Sequence, residues 1–363
     1  AILGRKLGDI DLATNLPPER VMETLSQQGL KTVPTGLAHG TITAVADHVG
    51  YEITTLRRDV ETDGRHAQVA FTDDWRIDAA RRDFTFNALY LDAEGKLYDY
   101  FFGVEDAVAG RVRFIGDAHA RIQEDVLRIL RFFRFYAWFG QGAPDAEGLA
   151  ACRELANLIP RLSAERVARE ILKLLAAENP LPAWRLMHEN GVLPHVAPEA
   201  RDLAHLEALV QNEQQQNEPP DALVRFASLL PEDELIAASI AARLKLSNRD
   251  GDKLRALAKL PGLLRDDFGS AGLRRLLYAY GAENCRASVF LAGQHIAQSL
   301  ATITAWENPV FPIKGEDIVK AGAPAGPQIG EILRAVEKWW IDKDFRPDRS
   351  ACLAQIKQSE KNP

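Results

Sequence analysis

Strand patterns end near residue ~115 of this 363-residue chain, and everything after reads as helix. That asymmetry limits the fold to a small mixed head followed by a long helical remainder, an α+β chain. In the first part, Asp9-Ile10-Asp11-Leu12-Ala13 alternates, and Pro17 to Gln28 reads as a helix opened by its prolines. Thr41 to Ala46 and Tyr51 to Leu56 form an expected hairpin, turning near His48-Val49-Gly50. Ala88 to Asp92 and Lys96 to Phe102 form another, turning at Glu94-Gly95. Between them Arg57 to Gln68 is polar with little periodicity, and so is expected to be a mobile loop.

Beyond that point Ile122 to Phe139 reads as one helix ending near Gly140. Ser163 to Ala177 is a second, with Ser163 as N-cap. Trp184 to Asn190 and Leu203 to Gln216 continue the pattern. Short helices broken by Pro231, Asn248, Pro261 and Gly269 follow, then a Pro/Gly-rich loop, Gly322 to Pro327, and a last long helix, Gln328 to Ile341. The expected organisation is a head at 1–115, a neck at 116–195, a body at 196–300 and a tail at 301–363.

A net charge of −7 excludes a uniformly basic nucleic-acid coat but not a local basic stripe. The 3 cysteines, Cys152, Cys285 and Cys352, are far apart and show no zinc or redox spacing. They read as small core residues in a reducing compartment. No apolar run is long enough for a bilayer, so no membrane is expected and the cytoplasm is the default.

Chemistry concentrates in three segments. Side chains alternate along a strand, so Asp9 and Asp11 project from one face. Two carboxylates so placed suit a divalent cation, and Mg2+ keeps to one or two carboxylates plus substrate phosphates. Glu52, on a neighbouring strand, is the third carboxylate expected for a two-metal site. Taken alone, a D-x-D segment reads as a solvated turn; the apolar strand context and the later motifs lift it.

The second segment is RRDFTFNAL, Arg81 to Leu89, and the third is EDVLRILRFFRF, Glu124 to Phe135. On a helix at ~100° per residue, Asp125 and Arg128 are neighbours on one face. In isolation they would be an ordinary surface ion pair. Apolar residues surround them, however, so Arg128, Arg131 and Arg134 must be paired or line a cavity, where a triphosphate would satisfy the last two. A carboxylate only accepts and a guanidinium only donates. Cytosine and adenine both present an amino donor beside an acceptor ring nitrogen; uracil and guanine reverse the order. One Asp/Arg pair can therefore take C and A and reject U and G.

These segments resemble the class II tRNA nucleotidyltransferase and bacterial poly(A) polymerase family, within the DNA polymerase β-like superfamily. LSAERVAREILKLL, Leu162 to Leu175, is similar to that family's neck motif, and a weaker likeness runs from Pro312-Ile313-Lys314-Gly315 to Trp340. The resemblance implies that Asp9 and Asp11 bind magnesium with Glu52 as third carboxylate. It implies that Arg82 and Asp83 contact ribose and phosphate, with Asn87 bracing them. Asp125 and Arg128 would read the base, Arg131 and Arg134 would support the nucleotide, and Glu165 and Arg166 would orient the neck. Thr35 to Thr41 and Tyr51 to Arg57 resemble the CCA-adding branch, and the Arg57–Gln68 segment resembles the loop used in switching from C to A. The implied partners are the tRNA acceptor arm, CTP and ATP. The runners-up are a poly(A) polymerase, a partial CC- or A-adding enzyme, and an inactive RNA-binding relative. The family carries Gly-Gly-x-Val-Arg-Asp before its D-x-D motif, and Ala1-Ile2-Leu3-Gly4-Arg5 matches only the tail of that segment. A longer natural chain, with the glycine turn before Ala1, is the expectation.

Overall fold

The computed structural model describes residues 3–4, 10–62, 67–201, 203–267, 269–321, 326 and 328–359. Strands β1 (Asp11–Thr14), β2 (Lys31–Gly36), β3 (Thr41–Ala46) and β4 (Val49–Thr55) form one sheet in the order β1-β4-β3-β2. β1 lies parallel to β4 and sets Asp11 opposite Glu52; the other pairs are antiparallel. Helix α1 (Pro18–Gln27) connects β1 to β2 and begins at its proline, whose missing N–H would be free there anyway. The β3–β4 link is two residues, Asp47-His48, with φ of +49° and +64°. Such a pair suits a type I′ hairpin turn, one position earlier than the sequence suggests.

The segment read as a mobile loop is instead a hairpin, β5 (Arg57–Thr62) paired with β6 (Ala67–Phe71). Backbone groups make the ladder, so its polar sequence is no obstacle. Buried Leu56 roots it: its N–H donates to the Thr14 carbonyl, and its own carbonyl accepts from Thr72 N–H. Helix α2 (Trp75–Ala80) follows, capped by Asp74, whose carboxylate accepts from the Arg76 and Ile77 N–H groups. The RRD segment then enters a 3-10 turn at Thr85–Asn87 and the short hairpin β7 (Leu89–Leu91) and β8 (Leu97–Asp99). Helix α3 (Gly103–Ala109) starts against that turn. A Cβ on Gly103 would sit 2.2 Å from the Thr85 carbonyl oxygen, so only glycine fits.

The single helix expected over Ile122–Phe139 is two, α4 (Ala118–Glu124) and α5 (Leu127–Phe139). Asp125 breaks them, extended at φ −148°, ψ 104°. Its carboxylate accepts from the Leu127 N–H at 3.1 Å, satisfying a donor that the start of α5 would leave free. Leu127, Leu130, Phe133 and Ile129 are on the buried side of α5, and Phe132 stacks on Phe114 at 5.8 Å between centroids. Helix α6 (Ala146–Glu154) precedes α7 (Ala164–Leu175), which buries Val167, Ile171, Leu174 and Leu175 at helical spacing. Ser163 stands at the α7 N-cap, but its hydroxyl makes no cap bond; its carbonyl accepts from Arg166 and Val167. Helix α8 (Leu181–Glu189) packs on α5.

The chain divides into two compact units, Ala1–Ala200 and Arg201–Pro363. The second is helical throughout its regular structure: α9 (Ala204–Gln216), α10 (Ala222–Ser228), α11 (Glu234–Arg243), α12 (Asn248–Asp266), α13 (Ser270–Ala292), α14 (Ile296–Thr304), α15 (Gly315–Lys320), α16 (Gln328–Asp342) and α17 (Arg349–Ser359). Pro261 does not end a helix as expected; it lies buried inside α12. Nor is the helix from Gln328 the last, because α17 packs back on it through Cys352 and Ile356 beside Val336 and Trp340. All 3 cysteines are buried and free, consistent with their reading as core residues. Among the described residues no helix is long and apolar enough to cross a membrane.

Candidate active site

Parallel pairing places the Asp11 and Glu52 side chains on one face of the sheet, and both are exposed. Asp9 lies outside the described residues. Among the described residues no group of three or more His, Cys, Asp or Glu gathers to hold a metal. Asp11 and Glu52 are nonetheless adjacent hard oxygen donors, the chemistry a magnesium-sized cation requires.

A cavity of about 530 Å³ opens beside Asp11, within the range of small-molecule sites. Its wall brings together Asp11, Arg82, Asp83, Asn87, Asp125, Arg128 and Arg131 from all three sequence motifs. Leu127, Phe135 and Arg166 complete it. Glu52 stands outside the wall, and so does Arg134.

The charged wall residues of the second and third motifs are held by the surrounding fold. Buried Asp83 accepts from Arg131 Nε at 2.6 Å, from Asn87 Nδ2 at 2.9 Å and from the Phe84 N–H at 2.9 Å. Asn87 thus holds Asp83 of the RRD segment, and Arg131 is fixed across the chain to the same carboxylate. Arg82 donates to the Asn87 carbonyl at 3.1 Å and lies over the Tyr90 ring, 5.0 Å from its centroid. Arg128 donates to the Arg121 carbonyl at 2.7 Å, to Glu124 at 2.7 Å and to the Arg81 carbonyl at 3.2 Å. Three of its five donors are engaged in this way.

Two expectations change. Asp125 and Arg128 are not neighbours on one continuous helix, because the helix breaks at Asp125, whose carboxylate accepts from Arg166 Nη2 at 2.7 Å. Arg134 does not await a triphosphate: its Nε donates to buried Glu170 of α7 at 2.5 Å, and its guanidinium rests on the Phe135 ring. Sequence reading gave Arg166 only an orienting role in the neck; the cue to its place on the wall is its position near the start of α7, which packs along α5. Phe135 was legible only as a core aromatic.

Beneath Arg82 lies Asp78, almost fully buried. Burial pushes its carboxyl up, but Arg81, the Tyr90 hydroxyl and the Arg57 N–H outweigh this and hold it below the usual carboxylate range.

The Poly A polymerase head domain matches residues 1–113, and the probable RNA and SrmB-binding site of polymerase A matches residues 143–203. The mitochondrial CCA tRNA nucleotidyltransferase 1 of Mus musculus is 33% identical over 366 residues, covering 98% of this chain and 84% of that protein. This chain belongs to the CCA-adding tRNA nucleotidyltransferase family. The CCA-adding enzyme of Geobacillus stearothermophilus is 30% identical over 370 residues, covering 98% of this chain and 89% of its own. The crystal structure of the Bacillus stearothermophilus CCA-adding enzyme in complex with CTP superposes with a TM-score of 0.79 at 26% identity, over 99% of this chain and 90% of that one. A Thermotoga maritima CCA-adding enzyme complexed with tRNA shares the fold at a TM-score of 0.64 and 21% identity, over 99% and 88% of the two chains. The resemblance read from the motifs, the α+β class and the assignment as a nucleotidyltransferase are thereby borne out.

Proposed function

We propose that this chain adds C, C and A in turn to the 3′ end of tRNA, using CTP and then ATP. The observation that carries the reading is the shared cavity: Asp11, the RRD segment and the Asp125/Arg128 elements line one space. The tRNA 3′-hydroxyl attacks the α-phosphate, and pyrophosphate leaves. Asp9, Asp11 and Glu52 are the residues suited to hold Mg2+, which when bound supplies charge neutralisation at the phosphates. Arg82 and Arg131 face the same cavity as fixed cations, so they favour the anionic phosphates without reorganising. Asp83 and Asn87 keep Arg131 and Arg82 in place.

Base choice falls to Asp125 as acceptor and Arg128 as donor through its remaining N–H groups. Arg166 holds Asp125 at the height of the cavity wall. The helical body and tail would grip the acceptor arm by shape and backbone contacts, the way structured RNA is usually recognised. The cytoplasm is the compartment we assign.

Incubation of the protein with labelled CTP and ATP, singly and together, on tRNAs ending before C, CC and CCA tests this. The expected products stop at CCA and require both nucleotides. Repeated A addition would make the chain a poly(A) polymerase, and no addition at all would make it an inactive RNA-binding relative.

A further inference from the structure

Arg82 reaches the cavity on borrowed supports. Its Nε is buried and has no hydrogen-bond partner among the described residues. The rest of the guanidinium meets three things: the Asn87 carbonyl at 3.1 Å, the Asp78 carboxylate at 3.4 Å and the face of Tyr90. Two of these supports are joined, since the Tyr90 hydroxyl donates to Asp78 Oδ2 at 2.5 Å. The other oxygen, Oδ1, accepts from Arg81 Nε at 2.8 Å and from the Arg57 N–H at 3.0 Å, the first residue of β5. Four donors thus converge on one buried carboxylate, about as many as its lone pairs can serve. Asp78 lies outside the cavity wall, so this saturation is not explained by ligand contact.

We propose that Asp78 and Tyr90 are positioning residues that aim the Arg82 guanidinium at the nucleotide. Tyr90 forms the platform, and Asp78 fixes both the platform and the cation resting on it. Neither touches the reacting atoms. Burial and the Asp78 carboxylate push the Tyr90 phenol up, so it remains a proton donor across the working pH range. The inference rests on assigning the cavity to a nucleoside triphosphate.

The test uses the full chain with Tyr90→Phe, Asp78→Asn, Arg82→Ala and the double variant Arg82→Ala/Tyr90→Phe. Equilibrium binding of CTP, steady-state incorporation and thermal unfolding are measured on each. Tyr90→Phe keeps the ring and loses only the hydroxyl. It should raise KM for CTP about threefold, and Asp78→Asn about tenfold, with kcat within about twofold, as loss of uniform ground-state binding predicts. The decisive readout is the cycle: once Arg82 is alanine, Tyr90→Phe should change CTP affinity no further. An equal loss in both backgrounds would make the Tyr90 hydroxyl a structural group and overturn the proposal while leaving CCA addition intact. A wild-type protein that fails to bind CTP would defeat both readings.

Discussion

Asp125 is held by Arg166, 2.7 Å away on α7, and not by Arg128, three residues along its own chain. The neck helix therefore sets where Asp125, the acceptor proposed to meet the base, stands. Arg166→Ala should leave a half-buried carboxylate without its cation. We expect kcat/KM for CTP and ATP to fall by about ten- to a hundredfold, the scale of one charged hydrogen bond at ~1.5–3 kcal/mol. Steady-state incorporation on tRNA ending before C and before A measures it; an unchanged value for both nucleotides would show that Asp125 needs no anchor.

Arg134 serves the core instead. Its partner Glu170 is only 4% exposed, so removing the cation strands a buried charge. Arg134→Ala should cost about 3–5 kcal/mol of stability, while the double variant Arg134→Leu/Glu170→Leu recovers most of it. Denaturant unfolding of both proteins checks this. Selective loss of triphosphate affinity in a stably folded Arg134→Ala would restore the phosphate role read from the sequence.

Asp11→Ala should lower addition of C and A alike by at least about a thousandfold, as expected when a metal-holding carboxylate is lost. Affinity for tRNA should be largely intact, since the proposed grip on the acceptor arm lies in the body and tail. Incorporation and tRNA binding are read on the same preparation, and near-normal turnover would remove Asp11 from the site.

Asp78 gives a pH dependence with a definite sign. Its folded pKa lies below the ordinary 3.8, so its contribution to stability is fully present above that value. It is lost as pH falls through the lower folded pKa. The gap in unfolding temperature between wild type and Asp78→Asn should therefore be full at neutral pH and shrink in acid below 3.8. A gap that widens in acid would contradict the network around Asp78.

What the sequence made legible was what depends on local pattern: the strand-rich start, the β3–β4 hairpin, the three motifs and their convergence. Asp11, Arg82, Asp83, Asn87, Asp125, Arg128 and Arg131 do share one cavity. What escaped depends on tertiary partners. Periodicity ran through Asp125 because no residue there is a strong helix breaker; the break comes from a side-chain bond to Leu127 and the pull of Arg166. The β5–β6 pair escaped because a polar strand carries no alternation to read. Arg134 was misplaced because its partner, Glu170, lies 36 residues away in sequence.

The central claim is that cavity side chains, with no nucleic-acid template, choose the base. The direct measurement is kcat/KM for CTP, ATP, UTP and GTP on one tRNA lacking its last residues, in wild type and in Arg128→Ala. Arg128→Ala should slow CTP and ATP more than UTP and GTP, eroding discrimination by roughly 1–3 kcal/mol, the cost of one unmade buried hydrogen bond. If all four nucleotides slow by one common factor, Arg128 is a structural cation and the side chains of this cavity do not read the base.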